Sequence, residues 1–392
     1  MAHSASPKVL TVLHAARRMN QQELKRTALS LLHRFDSRQA LFDEAYYTGL
    51  YPDVLRSGMD PFAHYLEHGS RELRRPHPLF DPAFYISQSS TLAASRACPL
   101  LHYLSQGQQE RLDPHPLFST PYYLERCPRL AQSGQNPLLH FVQTSGPHRV
   151  SPHPLFDLEG YIKRYPDAAQ VNPLIHFVLH GKAQRRNPCT LFDVDFYLRQ
   201  YGPLIAPELD PLSHFLLNVH TRVLHPHPLF DVTYYLANRE DLRASRTNPL
   251  EHYLREGAEQ GCNPNPYFDS RFYIQTNKDV DFTKRSPLAH FVEIGAAQGR
   301  NPSALFDIKF YTNLYPDVLL QKFNPLHHFL AYGKVEGRRT SGAFEQMFRP
   351  SGRLPSGRYV DACARAAAPS SADWQKLAGR RPQLRRKSAH AV

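Results

Sequence analysis

The sequence predicts an all-α fold: an α-solenoid of eight units of about 38 residues, each made of two short helices and an extended proline-rich connector. Three observations lead there. The phenylalanine of a Leu-Phe-Asp element recurs as Phe42, Phe80, Phe118, Phe156, Phe192, Phe230, Phe268 and Phe306, at steps of 38 residues except one of 36. A tyrosine follows five residues later in every copy, from Tyr47 to Tyr311, and a proline follows by 19, or by 17 in the fourth copy (Pro173). A histidine stands three after that proline each time: His64, His102, His140, His176, His214, His252, His290 and His328.

Each element of the unit has a local reason. The aspartate after the phenylalanine (Asp43, Asp81, Asp157, Asp193, Asp231, Asp269, Asp307) suits an N-cap, since its carboxylate accepts free amides of the first helical turn. Ser119 takes that place in the third copy and is expected to cap as well. A first helix then carries an aromatic pair such as Tyr46-Tyr47 or Phe310-Tyr311, and Pro-Asp pairs such as Pro52-Asp53 should bend or end it. The second helix starts at a capping residue followed by proline, as in Asp60-Pro61 and Asn136-Pro137; Cys98-Pro99 lacks the good cap. About eight residues on stands a glycine (Gly69, Gly107, Gly181, Gly257, Gly295, Gly333), which reads as a left-handed helix stop. Ser145 and Val219 break that pattern, so copies three and five should end less cleanly. The connector Pro-His-Pro-Leu-Phe is too rich in proline for helix.

Helices this short are marginal alone in water, so neighbouring units must stack into a quasi-one-dimensional array. The chain divides accordingly into an N-terminal basic amphipathic helix and cap (1–40), the array (41–340) and a basic tail rich in Pro, Gly, Ser and Arg (341–392), expected to be largely disordered. Leu10, Leu13, Leu24, Leu31 and Leu32 give the first segment its apolar positions; an alternative places it on a membrane surface.

Charge supports the same division. The net charge is +12, yet residues 41–340 hold 30 basic and 30 acidic side chains. The first 40 residues carry +5 and residues 341–392 carry +7. Basic ends on a neutral body suggest arms for an anionic membrane surface or nucleic acid, with Arg380, Arg381, Arg385, Arg386 and Lys387 as the contacts; ordinary solvation is the other reading. With 41% hydrophobic and 21% charged residues the chain is not mostly disordered, and no apolar run reaches the roughly 18 residues that cross a bilayer. No secretory signal is recognisable at the N-terminus. Five scattered cysteines without a C-x-x-C pair suggest a reducing cytosol.

Residues that could carry chemistry each have a structural reading beside the functional one. The eight repeat histidines read either as a row of ligands or as structural groups, each bonded to a backbone carbonyl or a neighbouring capping aspartate; the structural reading is preferred, because a residue needed in every copy usually builds the copy. His64/His68 and His176/His180 are spaced for one helix face, but no third metal ligand is evident. The aromatics read as core before they read as stacking platforms. Glu336-Gly337-Arg338 and Gln298-Gly299-Arg300 read as turns with an exposed arginine. No phosphate loop, nucleophile elbow, zinc-protease helix or dinucleotide fingerprint occurs, so no catalytic residue, metal or cofactor is expected.

The string Phe-Asp-x-x-Tyr-Tyr-Leu, Pro-Asp-Val, Asn-Pro-Leu-x-His-Tyr, Glu-Gly-Arg-x-Pro over residues 40–340 resembles a tandem-repeat module of bacterial polysaccharide-biosynthesis and glycosyltransferase-associated proteins. The resemblance implies a bacterial, glycan-pathway accessory, although this chain has no room for a transferase domain. The expected function is a non-enzymatic scaffold that binds a protein partner, glycosyltransferase machinery in particular. The alternatives are a carbohydrate-binding array and a basic-armed adaptor. The expected location is cytoplasmic or peripheral to the inner membrane.

Overall fold

The computed structural model describes residues 41–342, apart from 96, 145–148 and 321–322. The expected amphipathic helix near the N-terminus, Ser145, and the tail with Trp374 and its arginine cluster lie outside the described residues. Within them the chain is an all-α repeat array, with no strand among the described residues. The first helices run Glu44–Leu50, Pro82–Ser87, Thr120–Arg126, Leu158–Arg164, Val194–Tyr201, Val232–Ala237, Ser270–Thr276 and Ile308–Leu314. All seven aspartates cap as expected: Asp43 accepts from the Tyr46 amide at 2.9 Å and Asp307 from Phe310 at 3.0 Å. Ser119 makes no such bond through its side chain, contrary to expectation. A serine hydroxyl is a weaker acceptor than carboxylate; what the third unit keeps is the bond that other units make beside their cap, with Asp113 accepting from the Thr120 amide at 2.6 Å as Asn187 does from Val194.

The Pro-Asp pair does more than end the first helix. Tyr51 closes one helix, and Pro52 opens another, Pro52–Ser57, because proline at a first helical position forfeits only an amide that would be unpaired anyway. Similar short helices sit in the link of other units, as at Pro128–Ser133 and Glu240–Ser245.

The second helix is not a plain α-helix. It starts with one α turn, Pro61–His64 in the first unit, and continues as a π turn, Tyr65–Gly69. The same pair occurs at Tyr103–Gly107, Phe177–Gly181, Tyr253–Gly257, Phe291–Gly295 and Phe329–Gly333. These are the six units that hold the glycine. In the third and fifth units the second helix is α throughout, Pro137–Gln143 and Pro211–Asn218. None of the six glycines has positive φ, so their reading as left-handed stops is wrong. The left-handed residue comes four positions later, at Leu73, Arg111, Arg185, Gly261, Gly299 and Gly337. The amide after it returns to the glycine carbonyl, as Arg74 to Gly69 at 2.8 Å and Arg338 to Gly333 at 2.8 Å, which is the six-to-one bond of a Schellman ending.

Three aromatic rings form the centre of each unit. Phe42, Tyr47 and Tyr65 lie 5.3 to 5.8 Å apart, with the two tyrosines edge to face at 88°. The arrangement repeats through Phe306, Tyr311 and Phe329, with the last pair at 86°. A fully buried ring of this kind contributes about 1.5–3 kcal/mol, and edge-to-face contact adds roughly 0.5–1.5 kcal/mol.

Successive units are tied by backbone. The amide of each capping residue donates to the carbonyl of the next connector: Asp43 to Pro76, Asp81 to Pro114, Ser119 to Pro152, and so on to Asp307 and Thr340, at 2.8–3.0 Å. Each connector then closes a tight turn instead of staying extended, with the Phe80 amide on the His77 carbonyl at 3.0 Å. Units farther apart also touch. Arg255 of the sixth unit lies over the Tyr122 ring of the third, 5.9 Å away, and 3.9 Å from Glu125. Thr190 bonds to Glu293, and Arg75 donates to the Glu208 carbonyl at 3.2 Å. The array therefore coils so that a unit meets another three or four places on, and is more than a one-dimensional stack.

Candidate functional site

The residues that repeat in every copy are brought together inside the units. Each repeat histidine meets the tyrosine of its own unit: Tyr47 Oη lies 3.1 Å from His64 Nδ1, Tyr85 2.8 Å from His102, and the distance stays between 2.6 and 2.9 Å in the other six pairs. The partner of each histidine is a tyrosine hydroxyl and not the expected backbone carbonyl or capping aspartate. The tyrosines are buried and the histidines nearly so. Burial pushes the Tyr47 hydroxyl up to about 12, so it keeps its proton. Burial lowers His140, His214 and His290, with nearby cations adding to the last two. These rings are neutral at physiological pH.

The spaced pairs His64/His68 and His176/His180 do come together, with ring centroids 5.4 and 5.3 Å apart. One nitrogen of the first ring in each pair is already engaged by tyrosine. Beside the second pair, Asp167 is held by Arg186 through two 2.8 Å bonds. Among the described residues no group of three His, Cys, Asp or Glu is arranged to hold a metal.

A second internal device is not legible in any single copy of the repeat. The turn arginines, expected to be exposed, are instead partly buried and paired. Arg338 donates to both oxygens of Asp317 at 3.0 and 2.9 Å and stacks on the Tyr315 ring at 4.7 Å. Its side chain is only 17% exposed. Arg186 does the same with Asp167 and Tyr165, and Arg74 stacks on Tyr51 with one nitrogen 2.7 Å from a single Asp53 oxygen. Hydrogen bonds from these arginines hold the Asp53, Asp167 and Asp317 carboxylates below their usual range. The Schellman ending explains the geometry, since it delivers the residue after the left-handed position onto the link. In the sixth unit Cys262 stands at the arginine's place and Arg239 at the tyrosine's, and Arg239 still grips Asp241 at 2.9 and 2.7 Å. That exchange between two positions within the eight copies was the available signal.

A third device is the connector histidine. His77, His115, His153 and His227 are buried, and each Nδ1 accepts from the amide two residues on at 3.0–3.1 Å. Asn265 and Ser303 accept the same bond in later copies, at 2.9 and 3.2 Å. Burial pushes His77 down to about 4 and His115, His153 and His227 to about 3. Since Nδ1 is an acceptor, the proton of each neutral ring sits on Nε2.

What remains for recognition is the outer surface, and there the units differ. The aromatic before the core tyrosine, present in every unit except the fourth with its Gly160, is half-buried, and Tyr122 already stacks under Arg126 and Arg255. Exposed large apolar side chains are unevenly distributed: Leu50 and Leu55 in unit one, Val171 and Leu179 in unit four, Leu204, Leu217 and Val223 in unit five, Ile294 in unit seven, and Leu314, Leu319, Leu320, Tyr332 and Val335 in unit eight. No described helix is long and apolar enough to cross a membrane. No protein-family model, curated protein or solved structure matches the chain.

Proposed function

We propose that this chain is a non-catalytic repeat scaffold that binds a protein partner, accessory to bacterial cell-surface polysaccharide or glycan biosynthesis, with glycosyltransferase machinery as the partner class and a cytoplasmic or inner-membrane-peripheral site of action. The glycan pathway rests on the repeat's resemblance alone. The scaffold reading rests on one observation: the polar and aromatic side chains common to all eight units are spent on internal pairs, whereas the exposed large apolar ones differ from unit to unit and are most numerous on units five and eight. Gathered apolar surface of this kind marks protein contact. The carbohydrate-array alternative asks for a recurring row of open aromatic rings, and the ring common to all units, from Tyr47 to Tyr311, is interior.

Affinity capture from native cytosol and membrane fractions tests this reading, using the full chain and residues 36–340 at low and high salt. Recovery of a glycosyltransferase or envelope-assembly protein by residues 36–340, resistant to salt, is expected. Binding that needs the basic ends and fails in salt would replace the scaffold with the basic-armed adaptor.

A further inference from the structure

The eighth unit carries large apolar side chains at positions that the earlier units also leave open to solvent but fill mostly with small or polar residues. Leu320 is 84% exposed, Val335 79%, Leu319 58% and Tyr332 50%. Phe323, three residues after Leu320, packs its ring 6.2 Å from Tyr332. The first unit holds Arg56 and Arg71 where the eighth holds Leu320 and Val335. Apolar surface gathered where other units are polar marks a contact site.

The chain itself leaves from this unit. The Thr340 carbonyl takes the Asp307 amide at 2.8 Å, the bond that a connector proline makes in the seven earlier units. Thr340 and Ser341 are buried, and a Cβ on Gly342 would lie 3.5 Å from the Phe310 ring. The repeat register runs on past this point in the sequence: Phe344, Glu345 and Phe348 fall 38 residues after Phe306, Asp307 and Phe310. It then lapses, with Arg349 and Ala366 where the tyrosine and histidine would stand. The sequence over residues 340–348 thus matches the opening of a ninth unit without the pair that builds a full one.

We propose that the apolar surface of unit eight is a docking site for the chain's own C-terminal segment, residues 343–392, which acts as an intramolecular cap. That segment contributes Phe344, Phe348, Tyr359 and Trp374 as apolar anchors and ten basic side chains for a wet outer face. Tethering a segment beside its site gives it an effective concentration on the order of millimolar, so weak contacts suffice. The proposal stands whether or not the scaffold reading does. If a partner also uses unit eight, the cap competes with it.

Hydroxyl-radical footprinting of the full chain tests the cap. Leu320, Tyr332 and Val335 are expected to be modified several-fold less than Leu55 of unit one, which is 66% exposed. Cleavage at a protease site inserted after Gly342, followed by removal of the released segment, should raise all three to the level of Leu55. The double substitution Leu320→Glu with Val335→Glu alters outward side chains only; it should raise Tyr332 modification in the uncut chain. Modification that is high before cleavage, or unchanged by it, overturns the proposal. Protection lost on dilution assigns the cover to a second copy and overturns it as well.

Discussion

Gly295 has no Cβ where the Tyr273 hydroxyl needs room: an added carbon would fall on Tyr273 Oη, closer than any real contact. The same hydroxyl is bonded to His290 at 2.9 Å, so it has no free direction of retreat. The π turn and the glycine thus belong to one arrangement, in which an extra residue in the turn brings a bare backbone against a buried phenol. Gly69, Gly257 and Gly333 meet Tyr47, Tyr235 and Tyr311 in the same way.

Gly295→Ala should therefore destabilise the array by about 1–3 kcal/mol, the usual range for overpacking. Tyr273→Phe removes the obstructing oxygen and should recover part of that loss when combined with Gly295→Ala. A urea-unfolding double-mutant cycle checks this; simple additivity would separate the glycine from the tyrosine.

Acid should unfold the array through its neutral histidines. Their folded values lie below the ordinary 6.5, so the unfolded chain binds more protons as pH falls. Stability is full above about 6.5 and declines as pH drops toward 3–4. A tenfold weakening of proton binding corresponds to about 1.4 kcal/mol, so the four connector histidines together withdraw several kcal/mol at the acid end. His153→Asn keeps an acceptor for the Leu155 amide, as Asn265 does for Tyr267, and should flatten the acid limb of a stability-versus-pH curve. An unchanged limb would point to other titrating groups.

Arg255 and Tyr122 should be energetically coupled although they are 133 residues apart. Exposed cation–ring contacts contribute about 0.5–1 kcal/mol. Arg255→Ala and Tyr122→Leu, alone and together, are expected to show coupling of that size. Zero coupling would mean that the coil between units three and six is not held at this point.

Cutting the array back should be felt beyond the adjacent unit. His327 of unit eight lies within electrostatic reach of Asp193 and Arg199 of unit five. Removal of residues 306–392 should raise amide exchange in the helix Val194–Tyr201 as well as in unit seven. Exchange confined to unit seven would restore a nearest-neighbour array.

The sequence by itself determined the period, the unit boundaries, the aspartate and Asn-Pro helix starts and the all-α class, because these depend on contacts within a few residues. Asp43 capping Tyr46 needs only a carboxylate three positions away. Tertiary structure decided what the recurring polar residues face. His64 reaches Tyr47 across 17 residues, Arg338 reaches Asp317 across 21, and Arg255 reaches Tyr122 through the coil. Gly295 shows the limit most plainly. Read locally, it is a helix stop; in the folded unit it is the space that the Tyr273 hydroxyl requires, a demand set by packing and not by neighbours in the chain.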